Sequence, residues 1–342
     1  MLLKSVPSWL WSMVFGWLLL CTALCMALWL GGPRHPAPMV SINEPFKALS
    51  REGLPDLQYV QAKDGQSLAY RAYVPAGTAK GCVVLVHGSS ATSVSMHAVA
   101  RALVTAGHVV YALDMRGHGA SGPKGHIDHV GQLESDLHAF VKAVQVPRPS
   151  TLLGFSSGGG FVLRVAGSLQ QGDFDSYLLV SPFISQDAPN QRPGSGGWVH
   201  VGVPRIVALT ALNAVGIRWF NHLPVTAFAL NAEARSHLTS TYDFNLASNF
   251  RPPANYLATM QRVRRPLSVL AGAEDEAFVS AALQGMVRDG ERDARGEQQR
   301  GVDRGQPEGA HGLEGLDDVA RRRGGAGLQA GPDRGEVRPD QR

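Results

Sequence analysis

The segment LLGFSSGGGF, Leu152 to Phe161, constrains the fold more than any other stretch of the chain. An apolar run suited to a buried strand passes directly into a glycine-rich turn. The sequence then takes up helical spacing to about Ser168. Gly154-Phe155-Ser156-Ser157-Gly158 fits the pattern G-x-S-x-G and stands between a strand and a helix, where that pattern presents a nucleophile. A turn this sharp presses the residues two positions away against the backbone, where only a missing side chain fits. Ser156 is flanked at both such positions by glycine, whereas Ser157 would be centred on Phe155 and Gly159. Ser156 is therefore the candidate nucleophile. The Ser157 N–H opens the helix and is aimed at a developing oxyanion.

The surrounding pattern alternates strand and helix from about residue 57. SLAYRAYVPA (67–76) alternates as an edge strand does, and GCVVLVHG (81–88) is a continuous apolar run, as burial on both faces requires. Residues 94–106 and 130–144 read as helices. HVVYALDMRGHG (108–119), SYLLVSPF (176–183) and RPLSVLAG (265–272) read as further strands. The expectation is an α/β fold with a mostly parallel central sheet and helices on both faces. Between residues 185 and 264 the alternation stops. An insertion of about 80 residues is too long for a simple connection and predicts a helical cap over the strand ends. Apolar helical runs are expected around 206–212 and 226–234. Trp198, Trp219, Phe220 and Phe228 are either the cap's own core or the lining of an apolar pocket.

The N-terminus carries a second strong signal. Trp9 to Leu30 runs 22 residues without a charge. At roughly 1.5 Å per residue, such a helix spans a hydrocarbon core of about 30 Å. Trp9, Trp11 and Trp29 stand near its ends, where amphipathic rings prefer the interface. This predicts a single-pass membrane anchor at 9–30, with a cleaved signal peptide as the alternative. Lys4 on one side and Arg34, Lys47 and Arg51 on the other leave the orientation open. Residues 31–56, opening on GGPRHPAP, read as a linker to a domain at 57–286. The formal charge of +4 comes without any run of Lys and Arg interleaved with aromatics, so no nucleic-acid partner is expected. Cys21 and Cys25 lie in the apolar stretch and Cys82 stands alone, which offers neither an internal disulfide nor a metal site.

Two further motifs surround the elbow. VLVHGSS (84–90) ends a strand at His87-Gly88, and the Ser89 N–H can serve as a second oxyanion donor opposite Ser157. His87 reads as structural. Asp114, Arg116 and His118 in LDMRGHGASG form a single short cluster without partners at ligand spacing, so they read as a hydrogen-bonded loop and not as a metal site.

In this order and spacing, VLVHGSS, ALDMRGHGASG and LLGFSSGGG resemble the α/β-hydrolase fold. Within it they resemble the branch of monoacylglycerol lipases, lysophospholipase-like enzymes and serine aminopeptidase-type domains. The resemblance implies a triad in the order Ser, acid, His. Asp275, three residues after Gly272 in LSVLAGAEDEAF, fits the acid better than its neighbours Glu274 and Glu276. The one histidine beyond it is His311, in EGAHGLEG. The implied activity is hydrolysis of carboxylic esters, with acyl lipids such as lysophospholipid or monoacylglycerol as substrates and no cofactor. An aminopeptidase or amidase is one alternative. A catalytically dead, membrane-tethered protein is the other, because His311 falls in a segment of different character. Residues 287–342 hold eleven Arg and twelve Gly but no Lys, Ile, Phe, Tyr or Trp. Such a composition cannot bury a core, predicts disorder, and has the look of GC-rich DNA read out of frame.

Overall fold

The computed structural model describes residues 8–39, 50–275, 277–283 and 285–286. The central sheet is built from β1 (Gln58–Gln61), β2 (Ser67–Tyr73), β3 (Cys82–Val86), β4 (Val109–Leu113), β5 (Ser150–Phe155), β6 (Ser176–Val180) and β10 (Leu267–Leu270). Its seven strands lie in the order β1-β2-β4-β3-β5-β6-β10. From β4 to β10 every pairing is parallel, whereas β2 pairs antiparallel with both β1 and β4. The mostly parallel sheet is therefore the one the strand–helix alternation requires. One strand differs. β2 is not the edge, because the four-residue β1 pairs outside it, and so short a segment carries too little alternation to be read from sequence.

Helices α2 (His97–Thr105), α3 (Gln132–Val144) and α4 (Ser157–Ala166) connect the parallel strands. Every residue of β3 is buried, as a central strand with two covered faces demands. α4 packs on β5 and β6 and buries Phe161, Val162, Leu163, Val165 and Ala166 in the main core, beside Leu152 and Leu179. The loop after β4 is fastened by Arg116, whose guanidinium grips Asp136 of α3 with Nε to Oδ2 at 2.7 Å and Nη2 to Oδ1 at 2.8 Å. The same group reaches Asp64 at 2.8 Å. Among the described residues no cluster of His, Cys, Asp and Glu is arranged to hold a metal.

The cap carries more β structure than the sequence predicts. β7 (Val199–Val201), β8 (Pro224–Phe228) and β9 (Thr241–Asp243) form a three-stranded antiparallel sheet. Helices α5 (Val203–Ala214) and α7 (Phe244–Asn249) pack on it, α6 (Ala232–His237) follows β8, and α8 (Tyr256–Gln261) packs on α4. The expected run at 206–212 lies inside α5. The run at 226–234 divides into the end of β8, a turn and the start of α6. A short apolar run buried on both faces does not distinguish strand from helix.

The apolar helix α1 (Ser8–Leu30) is long and apolar enough to cross a membrane. Its last turns do not hang free. Leu24, Ala27 and Leu28 pack against Ala208, Leu209 and Leu212 of α5. Buried Arg205 donates from Nε to Leu28 O at 2.6 Å, from Nη2 to Trp29 O at 3.2 Å and from Nη1 to Pro224 O at 2.6 Å. A cation thus satisfies carbonyls that every helix C-terminus leaves unpaired. Residues 31–39, expected as linker, lie along the cap: Arg34 N–H donates to His200 Nδ1 and Met39 N–H to Ala229 O, both at 3.1 Å. The expected tail at 287–342 lies outside the described residues.

The Arg116–Asp136 pair yields a stability prediction. Arg116→Leu should cost about 3–5 kcal/mol at pH 7, because it leaves a buried carboxylate unpaired. Burial already pushes the Asp136 carboxyl up, and without the guanidinium that effect acts unopposed. The protonated acid is then the form the folded variant prefers. Its stability deficit should shrink as pH falls from 7 toward 5, read from urea unfolding midpoints of both proteins at each pH.

Candidate active site

Ser156 stands at the end of β5 with φ 53° and ψ −119°, a conformation closed to most residues with a side chain. Backbone hydrogen bonds on both sides hold it. Its N–H donates to Val180 O of β6 at 3.0 Å, and its carbonyl accepts from Gly160 N at 3.1 Å and Phe183 N at 3.0 Å. The glycines prove necessary for the reason the sequence implies. A Cβ at Gly154 would meet Gly158 O at 2.2 Å, and one at Gly158 would meet His87 O at 2.4 Å and Val86 O at 2.6 Å. Ser157 is the first residue of α4, so its N–H has no partner in a preceding helical turn.

The loop after β3 faces this turn. A Cβ on Gly88 would lie 3.3 Å from Ser156 Cβ, so the Gly88–Ser89 peptide runs beside this serine. His87 is fully buried; its Nδ1 donates to Gly88 O at 2.7 Å and its Nε2 accepts from Met115 N–H at 3.1 Å. Both contacts together require the neutral ring, and burial holds this imidazole below its usual range. Its role is loop geometry, as expected. Asp114 likewise serves the backbone, with Oδ1 accepting from Ser93 N at 2.7 Å and Oδ2 from Ala120 N at 3.0 Å.

Behind the loop lies His118, which the sequence reads as part of a hydrogen-bonded loop without naming its partners. His118 is fully buried, and burial together with neighbouring His87 drives it well below the ordinary histidine range. Its Nδ1 donates to Arg116 O at 3.3 Å, so the neutral Nε2 accepts from the Tyr242 hydroxyl at 2.6 Å. That hydroxyl oxygen accepts in turn from Ser90 N–H at 2.6 Å. Ser90 Oγ donates to Thr239 O at 2.6 Å, and Thr239 N–H returns to Ser90 O at 3.0 Å. The loop that carries Ser89 is thereby bolted to the cap across sequence separations of about 150 residues. Contacts at such range leave no local signal.

A cavity of about 510 Å³ opens between the turn and the cap. Ser89, Ser156 and Ser157 share its wall with Trp198, Phe228 and Phe183. Trp198 serves both roles that the sequence leaves open. It is buried against Phe228, with ring centroids 5.5 Å apart, and its Nε1 donates to Ser89 Oγ at 2.9 Å. Trp219 is exposed and takes no part. Asp275 stands on the loop beyond β10, half-buried, with Oδ1 accepting from Ala277 N at 2.9 Å and Phe278 N at 3.0 Å. Ala277 and Phe278 line the cavity, whereas Glu274 is exposed. Glu276 and His311 lie outside the described residues. Arg251 and Asp187 also line the cavity, and no sequence pattern singles either of them out.

The family model described as serine aminopeptidase, S33 matches residues 77–295. The chain belongs to this family. Among curated members, a monoacylglycerol lipase of Mycolicibacterium smegmatis is 33% identical over 125 residues, covering 35% of this chain and 44% of that protein. The human monoglyceride lipase is 32% identical over 139 residues, covering 38% of this chain and 44% of that protein. The chain thus aligns with less than half the length of these curated relatives. A soluble variant of the Saccharomyces cerevisiae monoglyceride lipase, solved with a substrate analog, superposes with a TM-score of 0.52 at 19% identity. The match covers 69% of this chain and 82% of that one, and it fixes the α/β-hydrolase fold.

In this S33 member, Tyr242→Phe should destabilise the chain by about 1–3 kcal/mol, because it leaves buried Ser90 N–H and His118 Nε2 without partners. Denaturant unfolding of the variant against the parent checks this.

Proposed function

We propose that this chain is a serine hydrolase that cleaves carboxylic esters of acyl lipids through an acyl-enzyme on Ser156. The observation that carries the reading is the strained serine at a strand-to-helix turn, on the wall of a largely apolar cavity. In this reading Ser156 Oγ attacks the ester carbonyl as a histidine accepts its proton, and a C–O bond forms. The resulting oxyanion is held by the Ser89 and Ser157 N–H groups, whose donation into a water-poor site lowers the barrier. Collapse expels the alcohol, which takes the proton back from the imidazole. Water then attacks the acyl-enzyme by the same route and releases the acid. Asp275 is proposed to orient the imidazole and His311 to supply it. No cofactor enters the scheme.

The lipid preference is supported by the aromatic and aliphatic cavity wall and by the lipases among the relatives. We further read α1 as a membrane anchor. Its exposed Trp11, Phe15, Trp17 and Leu18 have no protein to cover them among the described residues, and lipid would cover them. Because Arg205 clasps the last turn of α1 to α5, the cap would sit against the membrane surface. Val203 and Val207 of α5 are exposed there, and Val203 also lines the cavity.

Incubation with a fluorescent fluorophosphonate tests the chemistry. The full chain should be labelled, and Ser156→Ala should lose both the label and at least about 10³-fold of any lipid-ester turnover. A folded but unlabelled parent would reject the activated serine. Retention of the full chain in the pellet after carbonate washing of membranes tests the anchor, and release into the wash would reject it.

A further inference from the structure

Three buried or half-buried guanidinium groups are met by carboxylates or carbonyls, while Arg71 reaches Pro55 O and leaves its Nε without a partner. Arg116 holds two carboxylates, Arg164 binds Glu134, and Arg205 donates to three carbonyl oxygens. Arg251 departs from this. It follows α7 by two residues, is half-buried, and lines the same cavity as Ser156. Its backbone oxygen accepts from Arg164 Nη1 at 3.4 Å, which fixes the main chain, yet among the described residues its guanidinium makes no hydrogen bond or ion pair. Burial and the neighbouring Arg164 both push its pKa down, and Asp187 offsets this only in part. Asp187 is exposed to solvent on the same cavity wall. A guanidinium stays charged in a protein and offers five donors in one plane. Its nitrogens are not among the buried atoms left without a partner, so water in the cavity reaches them, and an anion there would replace that water with charge-assisted hydrogen bonds.

We propose that Arg251 is an anion-recognition residue of the Ser156 cavity, and that the ester bound there carries a phosphate or a carboxylate beside its acyl chain. This rests on reading the cavity as the ester site, and it narrows that reading. A neutral glyceride would leave the guanidinium unpaired. An ester with an anionic group would place planar oxygen acceptors against it while the acyl chain occupies the wall formed by Trp198 and Phe228. The two anions share this chemistry and differ in where the charge resides: a phosphate belongs to a headgroup, a carboxylate to an acid-bearing ester.

Calorimetric titration of the full-length Ser156→Ala protein in detergent separates binding from chemistry. The probes are hexyl phosphate, hexanoate, hexanol and hexylamine. At least one anion should bind about tenfold or more tightly than hexanol, as one charge-assisted contact predicts. The preferred anion names the charge carrier. Adding Arg251→Gln should bring the anion-to-hexanol ratio to about one, and Arg251→Lys should keep only part of it, because an ammonium lacks the bidentate fork. Equal binding of anions and hexanol overturns the proposal, as does preference for hexylamine or an undiminished ratio in Arg251→Gln. Should the Gln variant fail to fold, the Lys variant decides: a reduced ratio supports the proposal and an unchanged one overturns it. Anion preference in a chain that no fluorophosphonate labels supports Arg251 and overturns the ester chemistry. Labelling without the preference does the reverse.

Discussion

The turn at Ser156 is the constraint from which the rest of the site follows. A non-glycine residue at φ 53° and ψ −119° carries about 1–3 kcal/mol of strain, and it persists only where the surroundings leave no alternative. Here they leave none. Val180 O from the adjacent strand holds the Ser156 N–H, and the Ser156 carbonyl is shared between Gly160 and Phe183. The chain can therefore turn from sheet to helix within one residue only if α4 lies almost in contact with β3 and β5. That explains a glycine run with no value as helix former: Gly159 lies against Pro182 and Gly160 against Phe183 O. Helix propensity is given up for proximity. The first helical N–H and the loop after β3 are both brought to the serine as a result.

That loop is positioned by groups that must stay uncharged. His87 can accept from Met115 N–H only when neutral, and His118 can accept from Tyr242 only when neutral. Two imidazoles stacked edge to face at 4.7 Å in a sealed core disfavour each other's protonation, so burial makes the tautomers unambiguous. Through Tyr242 and Thr239 the network passes to the cap, and through Trp198 the cap reaches Ser89. The cap in turn is joined to α1 by Arg205. One run of hydrogen bonds thus links the long apolar helix, the cap and the loop beside Ser156. Displacing the cap would disturb the Ser89 peptide as well as the cavity wall.

The elbow, the alternating sheet and the loop after β3 were legible in the sequence because each is encoded locally. A G-x-S-x-G turn, a continuous apolar strand and a His-Gly strand end draw their meaning from residues within a few positions. The cap was legible only as an interruption. Its β8 looks helical because a short run covered on both sides has no period to read, and the sheet it joins is assembled from segments about 15–25 residues apart. Trp198 could be assigned to core or cavity but not to both at once. Tyr242, Arg205 and Arg251 carried no signal, since a lone tyrosine or arginine acquires its role from partners distant in sequence. Residues 31–39 read as linker because Gly and Pro mark irregular backbone, and irregular backbone can still lie pinned against a neighbour.

The acid and base complete the argument by what their chemistry requires. A serine hydroxyl is a weak nucleophile until a neighbouring base takes its proton. Oδ1 of Asp275 accepts from two backbone N–H groups, and the turn that fixes it continues into residues of the cavity wall. Of the twelve histidines, eleven lie among the described residues and none of them lines the cavity. His87 and His118 are committed with both ring nitrogens to other partners. β10 has β6 as its one neighbour among the described strands, and Leu270 at its end is 60% exposed.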